Sequence, residues 1–373
     1  MSFSVERDVM LAALRQVADA VEARNTIPVL GNLLLVAEDG RLTVTGTNLD
    51  IEATARCAAA IEAPVRITAP KDKLLAAVSS LKPGEIVVAL EDKRPALTVK
   101  QKRAVRTIPT LAASEFPNLK ELDGAVTFEM PSKALGRLFE ATAPAISTDE
   151  VRYYLNGVFL HRRDGDLVAA STDGHRMVRA TMAAPAGSDA LEDAIVPRRT
   201  VLMLRKLLDK TEVVVAIAAT DKAIVFEFGE TRIVSKLVEG TFPDYTRVIP
   251  APADFGIEAA RDALIEPLVA VGAVVNAEGD KIRSRAVAID CVAEAPEIRA
   301  QDQAGAFASE PLDVTVTGKP FKFGVNQQYL VQIAGIFSEA SKLTLSVADE
   351  AAPIRITADK DPDLLAVVMP MRV

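Results

Sequence analysis

Ser171, Asp173 and His175 stand at alternate positions of one short stretch, STDGHRM, and their types are those of a nucleophile, an orienting acid and a base. Alternate residues of a strand share a face, but neighbours in one strand seldom bracket a substrate at hydrogen-bond distance, so this spacing argues against hydrolysis. The stretch reads better as a turn with a polar rim. Asp173 and Gly174 have the chemistry of a turn, and Met177 adds a flexible apolar contact. Upstream, Asp164 and Asp166 lack the spacing and closing Glu of a calcium loop.

Other chemistries have little to draw on. The chain has two histidines, His161 and His175, two widely separated cysteines, Cys57 and Cys291, and no Trp. Neither a disulfide framework nor a four-thiol metal site is available, and the cysteines read as small buried hydrophobes. There is no GxGxxG opening a helix, no Walker loop, no HExxH and no CxxC. No cofactor and no metal are expected.

What the chain does carry is a cationic helix face. In PRRTVLMLRKLLDK, residues Arg198, Arg199, Arg205, Lys206 and Lys210 fall within an arc of roughly 140° at helical spacing, with Val201, Leu204 and Leu208 opposite. Such a face neutralises phosphates without reading sequence. Its plain alternative is a solvated amphipathic helix.

The elements that must position these residues recur. LGNLLLVAEDGRLTVTGTN from Leu30 aligns with LNGVFLHRRDGDLVAASTDG from Leu155, an offset of 125 residues, and the same shift carries Phe3 onto Phe128 and Thr47 onto Thr172. EFPNL and TFPDY put Phe116 against Phe242, and a fainter third copy begins at Ile257, with Ala286, Val287 and Ile289 for Gly157, Val158 and Leu160. A repeat of this kind decides architecture before any motif does. It predicts three domains, 1–125, 126–252 and 253–373, within the two to four that 373 residues suggest.

Within each unit, strand-like alternation (RLTVTGTN, EVVVAIAA, KLTLSVA) is bounded by Gly, Asp and Pro turns. Helical periodicity predicts two helices per unit, near 7–23 and 71–81, 131–142 and 197–209, and 260–275 and 325–337, with Pro70, Pro131 and Pro197 as start signals. The fold class is α+β, with helices on one face of antiparallel sheets.

Apolar residues make up 49% of the chain and charged residues 25%, which are globular values. No run approaches the roughly 18 to 20 apolar residues of a membrane span, and the N-terminus lacks a signal-peptide pattern, so the expected place is the cytoplasm. The net charge is −8, yet the stretches 7–24, 71–82, 131–145, 197–210, 261–275 and 325–337, which hold the six predicted helices, sum to +6, so the surroundings are strongly acidic. Repeated helices on one side would add into one cationic surface and steer a polyanion to it.

RYYLNG at Arg152, TDGHRM at Thr172, SKLVEGTFPDY at Ser235 and VVMPMR at Val367, together with IPVLGNLLL at Ile27 and EFPNL at Glu115, resemble the beta subunit of bacterial DNA polymerase III, the sliding clamp. The resemblance spans the whole chain. It implies three similar domains per chain and a head-to-tail homodimer that closes into a ring around duplex DNA. Such a clamp is a non-enzymatic processivity factor that tethers the replicative polymerase, the clamp loader and other proteins through a short peptide with a leading Gln and paired apolar residues.

Matched by motif, the resemblance implies a peptide pocket between the second and third domains. One side is Arg152, Leu155, Thr172, Gly174, His175, Arg176, Met177, Pro243, Arg247 and Val248. The other is Asn326, Tyr329, Val367, Val368, Met369, Pro370, Met371 and Arg372. DNA contacts by the same route are Arg24, Tyr153, Tyr154, Arg198, Arg199 and Lys206. The implied dimer interface holds Arg106 and Ile108 against Val274 and Val275. The chain departs from the family at Asp149 and Glu150, where a polar uncharged residue is expected, at Arg106, where an apolar one is expected, and in a longer NAEGDKIRSR stretch. The readings that compete with a clamp are a repeat scaffold that gathers partners without encircling DNA and an enzyme using Asp173 and His175.

Overall fold

The computed structural model describes residues 1–22, 26–91, 94–117, 122–209, 212–275, 286–293, 295–302 and 305–373. NAEGDKIRSR, at 276–285, therefore lies outside the described residues, as do Arg24 and Lys210. The helices are α1 (Arg7–Ala18), α2 (Lys71–Ser79), α3 (Ser132–Thr142), α4 (Arg198–Leu208), α5 (Arg261–Val275) and α6 (Gln327–Ala334). Each prolyl start signal closes a strand directly before its helix: Val65–Pro70 before α2, Val126–Pro131 before α3 and Ala194–Pro197 before α4. Proline suits that junction because its fixed φ favours the first turn and its missing N–H is not needed there.

Two helices stop three or more residues before the periodicity does. α1 ends at Ala18. α6 ends at Ala334, because residues 335–337 tighten into a turn, with Ile336 N–H donating to Ile333 O (3.2 Å) and Phe337 N–H to Ala334 O (3.3 Å), which buries both side chains. α1 buries Met10, Leu11, Ala13, Leu14 and Val17, the stripe expected of an amphipathic helix. It lies so close to its sheet that a Cβ on Gly46 would stand 3.0 Å from Val17 O and 2.9 Å from Leu33.

The strands fall into two kinds of four-stranded antiparallel run, each present three times. The first kind ends at one edge with Ala104–Pro109 in the first repeat, Thr231–Lys236 in the second and Leu364–Val368 in the third. The second kind ends with Ile51–Ala58, Arg176–Ala183 and Phe307–Pro311. Neighbouring repeats join by one rule, in which a first-kind edge of one repeat pairs with a second-kind edge of the preceding one. Thr231–Lys236 pairs with Ile51–Ala58 inside an eight-stranded sheet, and Leu364–Val368 pairs with Arg176–Ala183 inside a nine-stranded sheet. Two edges are left over, Ala104–Pro109 and Phe307–Pro311, which among the described residues end their five-stranded sheets.

This joining explains why the chain packs as two compact units although it holds three repeats. One comprises 1–135, 185–192 and 202–237, the other 136–184, 193–201 and 238–373. The central repeat is divided because each of its sheets is continuous with a neighbour.

In the second unit, Arg137 of α3 clasps the third repeat. Its Nη2 meets Asp361 Oδ1 at 2.5 Å and its Nη1 donates to Ile336 O at 2.9 Å. Asp361 is buried, and burial opposes its charge, but the Ser341 hydroxyl, the Ser338 N–H and Arg137 outweigh that and hold its pKa below the ordinary 3.8. The clasp's electrostatic contribution is therefore present above pH 3.8 and lost as pH falls below it. Arg137→Ala is expected to cost about 2 kcal/mol, discounted for the partial exposure of the arginine, and to lower the first thermal transition by roughly 4–8 °C in calorimetry. An unshifted transition at pH 7 would show the pair to be idle.

Candidate peptide pocket and nucleic-acid interface

The hairpin between strands Asp166–Thr172 and Arg176–Ala183 builds one wall of a pocket of about 290 Å³. Gly174 turns the corner at φ +89°, a conformation that favours glycine, and a Cβ there would stand 2.6 Å from Arg152 Nη1 and push that guanidinium aside. Asp173 Oδ1 accepts from His175 N (2.9 Å) and Arg176 N (3.0 Å), and Oδ2 from Arg176 Nε (3.0 Å). Ser171 Oγ donates to Thr142 O at 2.5 Å, while the exposed His175 ring stacks on Tyr329 at 6.1 Å. The three residues that could have formed a catalytic set thus serve three separate structures.

Arg152 crosses the pocket mouth, its Nε on Asp149 Oδ2 (2.9 Å) and its Nη2 on Asp173 O (3.2 Å). The Arg152 hydrogen bond, aided by the Val151 N–H, holds the Asp149 carboxyl below the usual range. The facing wall is the 3₁₀ turn Tyr245–Val248, capped by Asp244, whose Oδ1 accepts from Thr246 N at 3.2 Å. Leu155, Met177, Tyr245 and Val367 belong to a buried cluster that forms the floor.

Ten of the residues matched by motif line this cavity: Arg152, Leu155, Thr172, Gly174, Arg176, Met177, Pro243, Val248, Val367 and Met369. The others are placed elsewhere. Val368 is fully buried, because alternate residues of Leu364–Val368 face opposite ways and its partner Val367 takes the pocket side. Pro370, Met371 and Arg372 line a second cavity of about 560 Å³ with Lys322, Phe323 and Val373. His175 and Tyr329 form a shelf with Arg176, whose guanidinium lies 4.3 Å over the Tyr329 ring. Asn326 caps α6, accepting from Tyr329 N at 3.1 Å, and Arg247 is exposed on the facing turn.

Asp244, Tyr245 and Tyr154 line the pocket without having been assigned to it. The signal for the first two was present, since they sit between Pro243 and Val248. Tyr154, matched to DNA, turns into the pocket and packs on the floor cluster, while Tyr153, edge-on at 5.9 Å, is 53% exposed.

Beneath the floor, His161 Nδ1 faces Arg162 O (3.3 Å) and Nε2 faces the Tyr245 hydroxyl (3.0 Å). The carbonyl must accept, so Nε2 accepts from Tyr245. Burial lowers the His161 pKa from its ordinary 6.5, against the Arg162 carbonyl and Asp193. A depressed histidine contributes stability above about pH 6.5 that is lost as pH falls. His161→Phe is expected to take away the acceptor of the Tyr245 hydroxyl proton, at about 1–3 kcal/mol, and to flatten the pH dependence of the melting temperature between pH 8 and 5. An unchanged slope would locate the titration elsewhere. The cysteines are poor nucleophiles: burial pushes Cys57 up and Cys291 to about 11.

On α4, Val201, Leu204 and Leu208 are buried while Arg198 and Lys206 are exposed and Arg199 and Arg205 half-buried. Lys206 Nζ pairs with Asp19 at 2.7 Å. At the edge Ala104–Pro109, Ile108 points inward and is 3% exposed, whereas Val105 points outward and is 50% exposed. Alternation in Ala104–Pro109 decides this, since Ile108 faces the core opposite Leu97. Arg106 leans back on Ser80 Oγ (3.3 Å). Val274 is exposed and Val275 half-buried at the end of α5, and Phe307 is 57% exposed at the other edge.

Three family models of the DNA polymerase III beta subunit match the chain in order, the N-terminal domain over residues 1–120, the central domain over 129–244 and the C-terminal domain over 246–372. The chain belongs to this sliding-clamp family. The Beta sliding clamp of Caulobacter vibrioides is 34% identical over 378 residues and that of Pseudomonas putida 35% over 374, each alignment covering 100% of both chains. Among solved structures, a Caulobacter crescentus beta sliding clamp superposes with a TM-score of 0.93 at 33% identity, covering 100% of this chain and 99% of that one. The Bartonella birtlesii sliding clamp bound to griselimycin gives 0.93 at 33% identity with both chains fully covered. Three repeated clamp domains of helices and antiparallel sheets are thereby the fold of this protein.

Proposed function

We propose that the protein is the processivity clamp of a DNA polymerase III holoenzyme, in which two copies join head to tail into a ring of six domains and twelve helices around duplex DNA. The observation that carries this reading is the pair of leftover edges. Inside the chain every join pairs a first-kind edge with a second-kind edge, and one of each remains, Ala104–Pro109 and Phe307–Pro311. A second copy satisfies both by the same rule, a heterologous contact that removes every exposed join.

The ring holds DNA by encirclement, so its contacts need only be weak, mobile and indifferent to sequence. Arg198, Arg199, Lys206 and Tyr153 supply such contacts to the backbone, and Arg24 joins them by motif. The 290 Å³ pocket takes the apolar anchors of a short peptide from the polymerase, the clamp loader and other partners. The protein is a non-catalytic factor of the cytoplasm, and its domains divide near 1–125, 126–252 and 253–373.

Loading the protein on nicked circular DNA and then cutting the circle tests the reading. A topological clamp runs off the new ends. Retention after cutting would refute encirclement and favour a scaffold bound by contact alone.

A further inference from the structure

Beside the pocket, the nine-stranded sheet carries two cations with no anion. Arg179 lies two residues beyond Met177 and pairs with Leu365, while Arg355 pairs with Val367 from the other flank of Leu364–Val368. Opposed residues of an antiparallel pair share a face, and so do alternate residues of a strand. Both arginines therefore stand on the pocket face, on either side of the strand whose Val367 lines the pocket.

Both are half-buried. Arg179 Nε is shielded and has no partner among the described residues. Arg355 Nη1 donates to Pro250 O at 3.3 Å, and among the described residues neither guanidinium meets a carboxylate. Asp244, on the loop that covers this face, accepts from the Thr246 hydroxyl at 2.6 Å instead. The two charges act on each other: burial first, and then Arg179, pull the Arg355 guanidinium below its ordinary value. Arg179 also acts on the Tyr245 hydroxyl of the pocket wall.

Like charges in a partly desolvated place raise the energy of the folded chain, and among the described residues no carboxylate pairs with either arginine. A carboxylate would do so, since the guanidinium fork matches it in two hydrogen bonds. Resting on the pocket reading above, we propose that Arg179 and Arg355 form an acidic-residue subsite, which takes the side chain of an Asp or Glu flanking the apolar anchors of the partner peptide.

The test uses the full chain and fluorescein-labelled peptides with a leading Gln and paired apolar residues, carrying Asp or Asn at each flanking position in turn. At one position the Asp peptide binds roughly five- to tenfold more tightly than its Asn counterpart at low salt, and the gap closes as salt rises. In Arg179→Gln the Asp peptide drops to the affinity of its Asn counterpart, and the melting temperature does not fall because a like charge has gone. Arg355→Lys, which keeps the charge and loses the fork, narrows the gap in part. Equal binding of Asp and Asn peptides at every position overturns the subsite and leaves the pocket standing. A gap that survives Arg179→Gln, or a lower melting temperature in that variant, overturns it as well. No binding of any peptide overturns both.

Discussion

Removing residues 369–373 is expected to abolish partner-peptide binding, a loss of more than a hundredfold in anisotropy, while the truncated protein still forms its ring. Met369 is the only one of the five that lines the 290 Å³ pocket, so Met369→Ala alone should weaken binding roughly tenfold to thirtyfold, in the range of an apolar anchor. The tail is not a free flap, however. Met369 N–H donates to His175 O at 2.8 Å, and Pro370–Met371 pairs with Lys322–Asn326. A Cβ on Gly324 would collide with Met371 O, so the tail is packed onto that strand. Truncation therefore also costs on the order of 1–3 kcal/mol of lost backbone pairing, seen as a lower melting temperature. Full unfolding of the truncation would make the tail part of the core, and unimpaired binding by Met369→Ala would move the site elsewhere.

Val105→Asp and Phe307→Asp are each expected to convert the dimer to monomer at micromolar concentration, more than thirtyfold weaker association in sedimentation, with loss of retention on circular DNA. Both side chains are exposed within the chain, at 50% and 57%, so neither change disturbs a core. The equality of the two effects is the informative part. A head-to-tail contact uses one edge from each copy, so damage to either edge breaks every interface. An isologous dimer built on one edge would respond to one substitution and ignore the other, and that result would sink the ring. Peptide binding should survive in both monomers, because every residue lining the pocket lies within one chain.

Much of this architecture is legible without coordinates. The threefold repeat, the six helices and their starts follow from periodicity and from proline at the first turn, both of which act within a few residues. The buried side of α4, Val201, Leu204 and Leu208, is visible because helical spacing needs no partner to define a face. Motif matching also gathers ten of the residues that line the 290 Å³ cavity, four of them in the hairpin that Gly174 turns.

What the sequence by itself determined is thus the set of elements, their threefold order and the chemistry available to them. The tertiary structure alone decided phase and pairing. Val367 lines the pocket while Val368 is core, Ile108 turns in while Val105 turns out, and Tyr154 enters the pocket while Tyr153 faces solvent. A strand has a period of two, so one residue of register exchanges its faces, and for Leu364–Val368 that register is set by Arg176–Ala183, far away in the chain. The leftover edges, and the anionless pair Arg179 and Arg355, exist only once those distant strands have met.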